Sequence, residues 1–125
     1  RMLSDGLSFF LMVEGSCIDD WSHANNLERV IEETLDFDRT VGETLRWAAQ
    51  DGRTLVVVTS DHETGAFTLQ GGDICEGRVE AHFANESHSG VLVPIYAYGP
   101  GAERFTGIME NAELSRRLIE MIARD

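Results

Sequence analysis

Residues 54–65 read TLVVVTSDHETG, an apolar, β-branched run that ends in a short polar turn. Valine and threonine pack well on a pleated surface, so segment Thr54–Thr59 is predicted to be a β-strand. Asp61 and His62 follow directly, where an irregular backbone can aim neighbouring side chains at one point. An Asp-His pair alone is usually just a turn, so the flanking sequence must decide whether it belongs to a site.

A second apolar run, Phe9–Val13, lies upstream and is typical of a strand buried on both faces. Between the two runs, apolar residues recur at helical spacing from Trp21 to Gln50, and Asp51-Gly52 is a turn signal just past that end. Strand, helix and strand in this order predict a right-handed β-α-β unit in a parallel sheet. Ligand-bearing turns of such sheets lie at the carboxyl ends of the strands.

The downstream sequence predicts three further elements. Segments 66–69 and 78–83 mix apolar and polar residues and favour a hairpin or an irregular excursion. Segment 91–98 favours another buried strand. Asn111 is the candidate cap of a last helix over Glu113–Ala123.

Bulk composition limits the classes of function. A chain of 125 residues, 42% hydrophobic and 26% charged, accommodates one globular domain or part of one. Ten basic and 22 acidic residues give a formal net charge of −12, which opposes binding to nucleic acid or anionic membrane unless cations intervene. No apolar run approaches the ~20 residues of a membrane-spanning helix. The first residues do not form a signal peptide.

The two cysteines do not indicate a compartment. Cys17 and Cys75 are too far apart in sequence for a local zinc hook, and two cysteines permit one disulfide without requiring it. We expect free, buried thiols that act as small hydrophobic residues.

Segment 14–23 places potential metal ligands beside the first apolar run. Asp19 and His23 are four residues apart, which on a helix puts their Cβ atoms on one face about 5 to 6 Å apart, close enough to grip one ion. Glu14 follows the predicted strand and would lie on the same rim. Each such pair alone is most often a solvated surface pair, so the pattern gains weight only in combination.

Two further places complete the candidate site. Asp61 and His62 follow the strand at 54–59, and His88 lies just before the predicted strand at 91–98. Mixed aspartate and histidine ligation suits zinc, whereas an all-oxygen site with a glutamate suits magnesium. His82 lies in a strand-like alternation and is interpreted as an ordinary surface or packing residue.

Three stretches together are similar to the C-terminal part of alkaline phosphatases. They are FLMVEGS at 10–16 with Ile18, Asp19 and His23, then VVTSDHETG at 57–65, then HSG at 88–90 ahead of VPIYAYGPGA at 93–102. The match covers nearly the whole chain. The resemblance implies an α/β fold with a mostly parallel sheet flanked by helices, in which residues 1–125 supply the C-terminal metal-binding portion and a separate N-terminal portion bears the nucleophile.

The resemblance also implies roles for individual residues. Asp19, His23 and His88 would hold one zinc, Asp61 and His62 would belong to a second zinc, and Glu14 would belong to a neighbouring magnesium site. In the full enzyme it implies phosphomonoester hydrolysis through a phosphoserine intermediate. A periplasmic or secreted location is implied as well, and a homodimer is compatible with the resemblance.

The chain departs from the family pattern in ways that bear on activity. The family uses an Asp-Ser nucleophile pair, a further magnesium ligand and a phosphate-binding arginine from an N-terminal segment, and no Asp-Ser-Ala turn occurs here. The second zinc would lack its bridging aspartate, so two protein ligands should hold it weakly. Ser89 follows His88 where threonine is more usual, which keeps the hydroxyl. We therefore expect the isolated chain to be inactive.

Two alternatives remain open from the sequence. One is a non-catalytic metal-binding or interaction module, which the missing nucleophile would permit. The other is a different metallohydrolase of the same superfamily, such as a phosphodiesterase or a metal-dependent mutase, because related sites reuse aspartate and histidine ligands.

Overall fold

A computed structural model describes residues 9–123 of the chain. The elements are helices α1 (Cys17–His23), α2 (Leu27–Asp51) and α3 (Asn111–Ile122), strands β1 (Val56–Thr59), β2 (Glu63–Thr64), β3 (Thr68–Asp73), β4 (Arg78–His82), β5 (His88–Ser89) and β6 (Ile95–Tyr98), and a 3-10 helix (Ala102–Phe105). Within these residues the strands form three two-stranded sheets, β1 with β6, β2 with β5 and β3 with β4. All three pairs are antiparallel.

The single helix predicted from Trp21 to Gln50 is in fact two helices. Asn25 takes a left-handed conformation (φ 51°), which asparagine tolerates better than most residues, and this ends α1. Asn26 then caps α2 by accepting a hydrogen bond from the backbone N–H of Arg29 at 3.2 Å. Gly52 (φ 69°) closes the other end of α2, as the Asp51-Gly52 turn signal predicts.

The strand predicted at Phe9–Val13 is wrong for this structure. The segment forms no regular element and its side chains are 43–76% exposed. It runs beside α2, where the ring centroid of Phe9 lies 6.5 Å from that of Trp47. A strand needs a neighbour for its backbone hydrogen bonds, and no other described segment pairs with it. The predicted parallel β-α-β unit is therefore not formed among the described residues.

The strand at 54–59 is confirmed as β1, and its partner is β6. Val56 pairs with Tyr98 and Thr59 with Ile95. The predicted strand at 91–98 is shortened to its second half, because Pro94 lacks the N–H that a ladder requires. The side chains of Val91 and Leu92 are exposed.

The remaining predictions are largely confirmed. β3 and β4 form the expected hairpin, although β3 extends through the glycine pair as far as Asp73. Helix α3 begins at Asn111 with Glu110 in the cap position, so the cap prediction is off by one residue. Cys17 and Cys75 are free thiols as expected, but both are exposed rather than buried.

The hydrophobic core is small. Among the described residues the buried apolar ones are Val30 and Ala48 of α2 and Phe105 of the 3-10 helix. Two polar residues are buried as well, Ser22 of α1 and Thr64 of β2. Helix α1 and strand β2 therefore each place one polar side chain in the interior. Within residues 9–123, no helix is both long and apolar enough to cross a membrane.

Candidate metal centre

Helix α1 places two of the predicted ligands together. Asp19 and His23 lie one helical turn apart, as their spacing predicts, and His23 Nε2 is 3.3 Å from Asp19 Oδ2. Both side chains are a little over one-third exposed, so they line the surface of the molecule and remain open to a ligand.

The β2–β5 pair brings a distant histidine to α1. Thr64 of β2 pairs with His88 of β5. Gly65 anchors the loop before β5, because its N–H donates to the Ser87 carbonyl at 2.8 Å and its carbonyl accepts from Ala84 N–H at 2.9 Å. Gly65 has φ 89°, and a Cβ there would lie 2.7 Å from the Phe83 ring, so this close approach requires glycine.

The three side chains converge on one point. His23 Nε2 lies 3.1 Å from His88 Nε2, and His88 Nε2 lies 3.6 Å from Asp19 Oδ1. One ligand atom from each residue lies within 4.8 Å of the others. Ligands about 2.0–2.1 Å from a tetrahedral zinc lie about 3.3 Å apart, which matches these separations. The donor set therefore fits zinc with little rearrangement.

Neighbouring groups orient two of these ligands. His23 Nδ1 lies 2.7 Å from the Glu86 carbonyl, and because a carbonyl only accepts, Nδ1 carries the proton and leaves Nε2 free in the neutral ring. The buried Thr64 hydroxyl donates to Asp19 Oδ1 and lies 3.3 Å from His62 Nδ1. That hydroxyl lowers the pKa of Asp19, burial opposes it, and the nearby imidazoles lower the pKa further.

The other predicted ligands are less closely gathered. The His62 ring stacks on the His88 ring with centroids 3.6 Å apart, so the His62 imidazole borders the cluster. Asp61 Oδ2 lies 3.1 Å from His62 Nε2, but the Asp61 side chain is 84% exposed. Glu14 is exposed, and the ligand cluster found among the described residues does not include it. His82 lies on β4 in the hairpin, outside the cluster as predicted.

Sequence reasoning missed the polar groups that support the ligands. Thr64 is quoted in the motif at 57–65, yet an isolated threonine after a strand carries no signal of its contact with Asp19. Glu63 accepts hydrogen bonds from the Ser89 hydroxyl and from Phe67 N–H. Burial raises the pKa of Glu63, but its hydrogen bonds, led by the one from Ser89, outweigh burial and leave the pKa lowered. The Glu63–Ser89 contact becomes visible only with the pairing of β2 and β5, and the Thr64–Asp19 contact only with the approach of β2 to α1.

One carboxylate and two imidazoles with an open side are the donor set of catalytic, rather than structural, zinc sites. The model of the alkaline phosphatase family matches residues 2–82 of the chain. The chain belongs to the alkaline phosphatase family.

Individual relatives agree with this assignment. The chain is 36% identical over 122 residues to alkaline phosphatase H of Pseudomonas aeruginosa strain UCBPP-PA14, which covers 85% of this chain and 26% of the relative. It is 35% identical over 132 residues to streptomycin-6-phosphate phosphatase of Streptomyces griseus, covering 87% of this chain and 28% of the relative. The chain thus spans about a quarter of the length of these curated relatives.

Solved structures confirm the fold class. The alkaline phosphatase from the Antarctic bacterium TAB5 superposes with a TM-score of 0.87 at 42% identity, covering 98% of this chain and 37% of that one. A mutant of the same enzyme was solved with Mg bound in a site called M3. The α/β, alkaline-phosphatase-like fold expected from the sequence is therefore correct, although the strand pairs in this part of it are antiparallel.

Proposed function

We propose that the complete protein hydrolyses phosphomonoesters at a site with two zinc ions and one magnesium ion, and that this chain supplies most of the metal ligands. The observation that carries the proposal is the convergence of Asp19, His23 and His88 in a chain of the alkaline phosphatase family. The spacing of their ligand atoms is that of a zinc coordination sphere, and the fourth side is open.

The chain's own residues have distinct tasks in this proposal. Asp19, His23 and His88 hold the first zinc through Asp19 oxygen and the two Nε2 atoms. Asp61 and His62 contribute to the second zinc, since Asp61 Oδ2 and His62 Nε2 are adjacent and the His62 ring borders the first cluster. When bound, the metals supply Lewis-acid stabilisation of the charge on the phosphoryl oxygens.

Glu14 is proposed to contribute to the magnesium site. An exposed carboxylate is the hard oxygen ligand that magnesium prefers, and the solved relative binds magnesium in one of its forms. Magnesium is normally held by few carboxylates and several waters, so Glu14 needs partners from elsewhere in the protein.

The nucleophile and the phosphate-binding arginine are proposed to come from the rest of the enzyme, because the chain spans only about a quarter of the length of the Pseudomonas and Streptomyces relatives. The exposed apolar run Phe9–Val13 supports this division, since side chains of this type are normally covered. Ligation also accounts for part of the net charge of −12, because Glu14, Asp19 and Asp61 then neutralise cations instead of repelling phosphate. A periplasmic or secreted location and a homodimer stay predictions.

The test uses the complete natural protein loaded with zinc and magnesium. An aryl phosphate monoester and the matching diester are assayed with wild type, His88→Ala and the control His82→Ala. We expect strong preference for the monoester, loss of activity in His88→Ala and near wild-type activity in His82→Ala. Preference for the diester, or full activity of His88→Ala, would refute the proposed function.

A further inference from the structure

The carboxylate of Glu63 joins two segments at the edge of the candidate metal centre. Its Oε1 accepts a hydrogen bond from Phe67 N–H at 2.8 Å, and its Oε2 accepts one from the Ser89 hydroxyl. Glu63 and Ser89 are also directly opposite each other in the β2–β5 pair. We call the contacts of Glu63 with Ser89 and Phe67 the Glu63 clamp.

The clamp lies where backbone hydrogen bonds alone give the β2–β5 pair little stability. Strands β2 and β5 have two residues each, and a ladder of that length is weak without other support. The second pair of the ladder is Thr64 with His88, so the residue that carries the imidazole depends directly on this register. A slip of one residue would turn the His88 side chain to the opposite face.

His88 also differs from the other two ligands in how its side chain is held. His23 is oriented by the Glu86 carbonyl and Asp19 by the Thr64 hydroxyl. Among residues 9–123, the His88 imidazole contacts members of the site itself, namely His23, Asp19 and His62. Its position therefore depends on the backbone that carries it, and Ser89 is the next residue along that backbone.

We propose that Glu63 is a positioning residue for His88, acting through the hydroxyl of Ser89. The inference rests on the proposed function, because it concerns the third ligand of the first zinc. Glu63 is not one of the three residues whose ligand atoms converge, and its two carboxylate oxygens accept hydrogen bonds from Phe67 and Ser89, so its role is to hold β5 against β2. Groups that orient ligands in this way commonly change metal affinity by about 10- to 100-fold.

Substitutions separate the clamp from a simple effect of negative charge. Glutamine at position 63 can accept from Phe67 N–H and donate its amide N–H to the Ser89 oxygen, so Glu63→Gln keeps both contacts without the charge. Glu63→Ala and Ser89→Ala each break the clamp, whereas Ser89→Thr keeps the hydroxyl. Glu43→Ala is the matched control, because Glu43 is an exposed glutamate on α2 whose partner is Arg46.

The experiment measures zinc affinity of the complete protein by competition with a chelator, together with the melting temperature of the metal-free protein. We expect Glu63→Ala and Ser89→Ala each to weaken zinc binding by about 10- to 100-fold. The double variant should bind zinc about as well as the more affected single variant, because both substitutions remove the same Glu63–Ser89 contact. The zinc affinity should differ from wild type by less than about tenfold in the three other variants, Glu63→Gln, Ser89→Thr and Glu43→Ala.

Several outcomes would overturn the inference. If Glu63→Gln loses as much zinc affinity as Glu63→Ala, the negative charge of Glu63 is what matters, and not its hydrogen bonds. Additive losses in the double variant would show that the two residues act separately. If Glu63→Ala fails to fold, Ser89→Ala decides alone, and unchanged affinity in that variant overturns the inference. If His88→Ala binds zinc as tightly as wild type, the proposed function itself is overturned. If His88→Ala binds zinc more weakly while the clamp variants keep wild-type affinity, only the role of the clamp is refuted.

Discussion

Asp19, His23 and His88 converge from helix α1 and strand β5, whereas Asp61 and His62 are neighbours on one connection between β1 and β2. The first group is about 40–50% exposed and is supported by Thr64 and by the Glu86 carbonyl. In the second group, the Asp61 side chain is 84% exposed, and within the described part of the chain it contacts His62. Long-range packing thus brings the first group of proposed ligands together, whereas the second group consists of two neighbours in sequence, one of them largely exposed.

The largest effect that follows from this difference concerns turnover. The isolated chain, supplied with zinc and magnesium, should not hydrolyse an activated aryl phosphate, because under the proposed function the nucleophile and the remaining ligand of the second zinc come from the rest of the enzyme. Loss of positioning and of a nucleophile should cost on the order of 10⁵-fold or more. A sensitive assay of the metal-loaded chain beside the complete natural protein checks this. Comparable rates from the isolated chain and the complete protein would show that the second ligand group is already functional without further residues.

The next largest effect concerns zinc affinity of the chain. His88→Ala should weaken the tightest zinc site by roughly 100-fold or more, since even substitutions that only orient a ligand cost about 10- to 100-fold. Asp61→Ala should leave that site nearly unchanged, because Asp61 is not among the three converging ligands. Calorimetric titration measures both variants.

His82→Ala is the control for these titrations, because His82 lies in the β3–β4 hairpin away from the cluster. An Asp61→Ala variant that loses as much zinc affinity as His88→Ala would reverse the ranking of the two groups. Equal affinity of wild type and His88→Ala would remove His88 from the site.

A moderate effect is expected on thermal stability. Metal that binds only the folded chain stabilises it by about 2.7 kcal/mol at a free concentration 100 times the dissociation constant. Saturating zinc should therefore raise the melting temperature over that in chelator, and Asp19→Asn should lose most of the increase. Differential scanning calorimetry with and without zinc measures this. An unchanged melting temperature in the wild type would mean that the cluster holds no metal.

The smallest expected effect concerns Asp51, a residue outside both ligand groups, whose contribution to stability does not depend on metal. At the junction of α2 and β1, the Thr54 hydroxyl, and to a smaller extent Arg53, hold the pKa of Asp51 below its usual range, against the opposing effect of burial. A lowered folded-state pKa stabilises the fold above the unfolded value, and this contribution is lost as pH falls through the folded value. Asp51→Asn should thus lower the melting temperature slightly near neutral pH, with no difference in strong acid.

Asp38→Asn, at an exposed position of α2, is the comparison for that measurement. The Asp51→Asn difference should be the same with zinc and with chelator. A difference that grows as pH falls would have the wrong sign for a lowered pKa.

Local signals in the sequence predicted one group of features well. The four-residue spacing of Asp19 and His23 requires only a helix, and the β-branched run at 54–59 is sufficient to predict β1. The family was correctly identified because three separate motifs occur in order. These predictions need no knowledge of which segments meet in space.

Features that depend on contacts between segments distant in sequence could not be predicted from local patterns. Phe9–Val13 has the composition of a buried strand, but strand formation needs a neighbour, and none of the described segments pairs with it. The helix break at Asn25 was missed because the apolar spacing continues across it. The contact of Glu63 with Ser89 depends on the pairing of residues 63–64 with 88–89, and that of Thr64 with Asp19 depends on the approach of β2 to α1, neither of which a local sequence pattern indicates.

The central claim is that Asp19, His23 and His88 bind one zinc ion. Anomalous diffraction at the zinc edge, from crystals of the zinc-loaded protein, tests it directly. We predict a zinc peak about 2.0–2.2 Å from a carboxylate oxygen of Asp19 and from the Nε2 atoms of His23 and His88. Zinc peaks only elsewhere in the molecule, or a peak at this site that lacks His88, would contradict the claim.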